Sequence, residues 1–100
     1  MNAREENGFL IVELSGRIDT SNAPDVQKEM AELAAAHPGA KVIFDAEALE
    51  YISSAGLRVL LHVRKNNPDM SITNVRSEVY EVFEVTGFSQ MMNIKRHEEG

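Results

Sequence analysis

The chain has 100 residues, 43% of them hydrophobic and 26% charged, with a formal net charge of −6, a size and balance that fit one folded domain and exclude disordered or fibrous architectures. It contains no cysteine, which excludes disulfides and thiolate metal sites, and its acidic balance argues against nucleic acid or an anionic membrane as main partner, since both need a basic face. No apolar run approaches a membrane span, and Met1 to Glu6 lacks the basic start and apolar run of a secretion signal, so the expectation is a cytoplasmic protein with a protein partner.

A short strand around Ala3 to Glu6 is expected to pair with the next segment through Asn7-Gly8, a dipeptide whose residues tolerate the positive φ of a tight hairpin. Phe9 to Ser15 is a β-rich apolar run, with Gly16 read as its breaker. Ser21 or Asn22 can cap a helix, with Pro24 and Asp25 in its first turn. Val26, Met30, Leu33 and Ala34 recur at helical spacing until His37-Pro38-Gly39 stops it. Lys41 to Asp45 reads as a short, buried central strand, followed by the longest loop of the chain. Leu57, Leu60, Leu61 and Arg64 place a second helix between the serine pair Ser53-Ser54 and Asn66-Asn67-Pro68. Met70 to Val75 is a strand; Ser77 is expected to cap a third helix with Val79, Val82, Phe83 and Thr86 along one face and Gly87 at its end; Met91 to Lys95 is a last short strand. His97 to Gly100 reads as a frayed tail. The alternation predicts a single α/β domain: a mixed, mostly parallel sheet of about four to five strands with helices packed on it.

The chemistry concentrates in Phe44 to Leu61, FDAEALEYISSAGLRVLL. In an open α/β sheet the segments leaving the carboxyl ends of the strands gather functional groups. Ser53 and Ser54 stand where the second helix begins, so their neighbouring backbone N–H groups and the positive end of the helix dipole favour an anion. Local chemistry alone favours capping for this pair, since serine is a common cap; a phosphoryl group is the alternative, and the two roles are compatible. His37, His62 and His97 lack partners at metal-ligand spacing, so no metal is expected. No Gly-x-Ser-x-Gly elbow surrounds Ser54, no base is placed for it, and no phosphate-cradling glycine loop occurs, so neither enzymatic activity nor a cofactor is expected. Met91, Met92 and Phe88 read as core packing, with an adaptable apolar contact surface as the alternative, and Glu78, Glu81 and Glu84 as a solvated helix face.

The segment Asp45 to Leu61 resembles the signature of the STAS domain, the fold of anti-sigma factor antagonists: an apolar strand, an apolar pair, two small hydroxyl residues, glycine and a leucine-rich helix. Gly16-Arg17-Ile18-Asp19 resembles that family's second motif. The family's phosphorylated serine stands two residues before the glycine, so the resemblance implies that Ser54 is the phosphoacceptor, counted back from Gly56. Ser53 occupies a place where many relatives have aspartate. The resemblance further implies partner contacts through Asp19, Ser53, Ser54, Ala55 and Gly56. It implies a partner that is an anti-sigma factor with serine kinase activity, released when Ser54 is phosphorylated, and a phosphatase that resets the cycle. A non-switching STAS scaffold subunit of a stress-signalling or lipid-transport complex is the alternative.

Overall fold

The computed structural model describes residues 1–97. Its elements run β1 (Ala3–Glu6), β2 (Phe9–Ile18), α1 (Ala23–Ala36), β3 (Lys41–Ile52), α2 (Ser54–Asn66), β4 (Ser71–Val75), α3 (Ser77–Val85), the short α4 (Phe88–Met91) and β5 (Asn93–Arg96). They form one five-stranded sheet in the order β1-β2-β3-β4-β5, in which β1 is antiparallel to β2 and the other neighbours are parallel. The mixed, mostly parallel sheet expected from the sequence is the one observed. The strand order never doubles back, so right-handed crossovers put the connecting helices on one face. Burial follows that face: Leu10, Val12, Val42, Phe44 and Ile72 are buried, whereas Ile11, Ile43 and Ser71, pointing the other way, are half-buried.

The hairpin forms as expected, with Asn7 at φ 51° and Gly8 at φ 83° between strands in register from Ala3 and Val12 to Glu6 and Phe9. Positive φ at both central residues matches the turn to the right-handed strand twist. Several boundaries differ from the sequence reading: β4 begins at Ser71 rather than Met70, and the last strand is Asn93–Arg96 rather than Met91 to Lys95, with Met91 ending α4. β2 does not stop at Gly16 but runs to Ile18, and Gly16 pairs with Leu49. Ser77 is the first residue of α3; the N-cap position is Arg76, with no side-chain cap bond. Thr86 is exposed, and its hydroxyl donates to the Val82 carbonyl at the helix end, 2.8 Å away. Phe88 and Met92 join the core while Met91 is exposed, so only part of that cluster packs inward. The expected tail falls, for residues 98–100, outside the described residues; the His97 N–H donates to the Val75 carbonyl at 2.9 Å.

The largest correction concerns β3. The segment read as a loop after Asp45 is strand to Ile52, twelve residues in all. Its buried positions are Val42, Phe44, Ala46, Leu49 and Ile52, two steps of two followed by two steps of three. Each step of three coincides with a register shift against β2: Glu13 to Ser15 faces Asp45 to Ala48, and Gly16 to Arg17 faces Leu49 to Tyr51. An extra residue in β3 at each shift is a bulge, which resets which side chain faces the core. Simple alternation would bury Ala48 and expose Leu49, and the reverse is found, with Leu49 0% exposed. Leu49→Ala is therefore expected to cost about 2–5 kcal/mol, while Ala48→Ser stays within about 0.5 kcal/mol; chemical denaturation of both variants checks the register.

Candidate functional site

The bulged end of β3 delivers the serine pair to the carboxyl edge of the sheet. Ile18 and Ile52 pair as the last residues of β2 and β3, and the Ser53 N–H donates to the Ile18 carbonyl at 2.9 Å. Ser53 is extended (φ −93°, ψ 175°), as an N-cap residue should be. Its Oγ accepts from the Gly56 N–H at 3.3 Å and its carbonyl from the Leu57 N–H at 2.9 Å. The cap of α2 is thus made by Ser53. Ser54, the first helical residue, is exposed, and among the described residues its hydroxyl has no hydrogen-bond partner. Sequence alone left cap and free hydroxyl undivided between the two; the geometry divides them.

Gly56 explains how the helix can start so close to the sheet. A Cβ on Gly56 would stand 2.6 Å from Ile52 Cγ1, 2.9 Å from Ile18 Cγ2 and 3.2 Å from the Ile18 carbonyl oxygen. No side chain fits there unless the Ile52 and Ile18 side chains shift. Ala55 is half-buried beside it.

Asp19 follows directly on the residue that receives the Ser53 N–H, so the two motifs meet at one edge. Its Oδ1 accepts from the Ser21 backbone N–H at 3.0 Å and from the Ser21 hydroxyl at 2.6 Å. The expected side-chain cap of α1 is absent: Asn22 holds the N-cap position, but its Oδ1 accepts from the Asp19 N–H at 2.8 Å and its Nδ2 donates to the Arg17 carbonyl at 2.7 Å. These bonds fix the turn from β2 into α1. The Ser21 hydroxyl holds the Asp19 carboxyl below the usual carboxylate range; partial desolvation opposes it, and the backbone N–H groups of Ser21 and Asn22 and the Arg17 guanidinium add to it.

Two further residues belong to this edge and were not singled out from the sequence. The Arg17 guanidinium lies over the exposed Tyr51 ring, 4.2 Å from its centroid. They are 34 positions apart, and only the bulged register that pairs Arg17 with Tyr51 brings them together. Among the described residues no group of acidic or histidine side chains has the arrangement of a metal site, and no helix is long and apolar enough to cross a membrane.

Comparison with known proteins gives a consistent result. A model of the STAS domain family matches residues 1–100. The chain is 35% identical over 98 residues to BtrV of Bordetella bronchiseptica, described as an anti-sigma factor antagonist, covering 93% of this chain and 83% of that one. It is 23% identical over 104 residues to the anti-sigma-B factor antagonist of Bacillus subtilis, covering 100% and 94%. Among solved structures, an anti-sigma factor antagonist from Mycobacterium paratuberculosis superposes with a TM-score of 0.83 at 20% identity, over 94% of this chain and 82% of that one. Unphosphorylated SpoIIAA, also an anti-sigma factor antagonist, superposes with a TM-score of 0.74 at 15% identity, over 93% and 85%. At those identities the structural matches speak for the fold.

Two outcomes follow from the geometry. Gly56→Ala should destabilise the protein by about 1 kcal/mol or more through overpacking, although helix propensity alone would give a gain of about 1 kcal/mol; a measured gain in denaturation would refute the close contact. Because the Asp19 pKa is lowered on folding, its stabilising contribution is present above the ordinary carboxylate range and is lost as pH falls through the lowered value. Ser21→Ala should move the Asp19 titration, followed by carboxyl NMR, upward toward that ordinary range.

Proposed function

The chain belongs to the STAS domain family, and from that premise we propose that it is an anti-sigma factor antagonist switched by phosphorylation of Ser54. Unphosphorylated, it binds an anti-sigma factor that is also a serine kinase and so frees a sigma factor. Phosphoryl transfer to the Ser54 hydroxyl ends that binding, and a phosphatase restores it. The chain acts in the cytoplasm by binding rather than by catalysis.

The observation that carries this reading is the exposed, unbonded Ser54 hydroxyl at the start of α2, beside a Ser53 that makes the cap. A kinase can reach Ser54 without breaking the cap. Relatives described as anti-sigma factor antagonists support the partner class. The added phosphate brings about −1.5 to −2 charges to a surface edge built of small residues. The first turn of α2 has no acidic residue, so the helix dipole favours the new charge and the fold tolerates it. The partner, by contrast, loses its fit in shape, charge and desolvation together. A loss of about 2.7–4 kcal/mol would weaken binding about 100- to 1,000-fold.

The test separates fold from binding. Ser54→Asp should leave the fold intact or raise its stability by about 0.3–1 kcal/mol, while calorimetry with the anti-sigma factor kinase shows the large loss of affinity. Unchanged affinity in a folded Ser54→Asp variant would remove the switch from this account.

A further inference from the structure

Beside the serine edge a shallow groove of about 550 Å³ runs between α1 and α2. Its lining is mostly apolar and small, with Ala23 and Val59 buried, Ala55 half-buried and Ala31 exposed, and it also includes Lys28, Arg58 and His62. No carboxylate lines it, although the chain as a whole carries a net charge of −6. Among the described residues neither Lys28 nor Arg58 forms an ion pair with a carboxylate.

We propose that this groove docks an amphipathic helix of the anti-sigma factor, its apolar face on Ala31, Ala55 and Val59 and its acidic residues against Lys28 and Arg58. The proposal rests on the functional reading above and names the part of the partner that the chain grips. Three features select that occupant. Small lining residues admit the close approach of a helix, and an apolar lining between two helices suits the apolar stripe of a third. Two free cations in the lining of a groove on an acidic protein select an acidic partner and repel a second copy of this chain, whose net charge is negative. The groove is also continuous with the proposed switch, because Ala55 both lines it and follows Ser54. Arg58 stands four residues after Ser54, one helical turn along α2. A phosphate on Ser54 is therefore placed to compete with the partner's carboxylates for Arg58, and it repels the same acidic helix.

The experiment uses the full chain, with the anti-sigma factor kinase that phosphorylates Ser54 as probe. Backbone amide NMR signals are followed as the kinase is added, and dissociation constants are measured by calorimetry at low and high salt for the wild type, Lys28→Glu and Arg58→Glu. The expected shifts extend along residues 23–31 and 55–62. Each charge reversal should raise Kd about tenfold, Lys28→Gln and Arg58→Gln should fall between, and the differences should shrink at high salt. Shifts confined to Asp19 and residues 53–56, or reversal variants that keep their circular dichroism and bind like the wild type, would overturn the groove while the proposed function stands. Absence of binding by the wild type would remove that function and the groove with it. Gel filtration and flotation with phosphatidylserine vesicles give the remaining outcomes: self-association, or vesicle binding, abolished by the same reversals would assign the groove to another occupant and overturn the proposal.

Discussion

The close approach of α2 to the sheet at Gly56 is the constraint on which the serine edge depends. The space a Cβ would need is already taken by Ile52 and Ile18, the paired ends of β3 and β2. With hydrogen in that place the helix begins directly on the strand ends, and Ser53 can reach both ways: its N–H to the Ile18 carbonyl and its Oγ to the Gly56 N–H. A larger residue would lift the first turn and pull these bonds apart. Packing, capping and the presentation of Ser54 are therefore one arrangement.

That arrangement assigns the two serines different work. Ser53 is half-buried and satisfies an otherwise orphan N–H of the helix, while Ser54 is outside with its hydroxyl open. Ser53 supplies this cap without a charge. The first turn then stays free of acidic residues, and the positive helix end remains available to an added phosphate. On the other side of the edge, Asp19 and Asn22 tie the turn into α1 through a closed set of hydrogen bonds. Asp19 is thus occupied in holding the turn from β2 into α1.

Much of this was legible in the sequence, because the signals were local. Asn7-Gly8, Pro24, Pro38-Gly39 and the helical spacing of Leu57, Leu60 and Leu61 each act within a few residues, and the elements they mark are present. Local chemistry favoured a cap for the serine pair without saying which of the two makes it. The long β3 was hidden because its bulges break alternation after Ala46, so that Leu49 and Ile52 turn inward at spacings of three, a period no strand template contains. The Gly56 contact and the Arg17–Tyr51 stack were hidden for a different reason: both depend on the register between β2 and β3, which no single segment encodes. Gly56 showed itself in the sequence only as a family landmark, and the structure supplies its physical cause.

The division between the two hydroxyls is the center of this account, and mapping the phosphorylated residue tests it most directly. The full chain is incubated with the anti-sigma factor kinase and ATP, and fragmentation mass spectrometry of the peptide containing both serines locates the phosphoryl group. The account predicts a single phosphoryl group on Ser54. A group on Ser53 would contradict it, because that hydroxyl is the one committed to the cap.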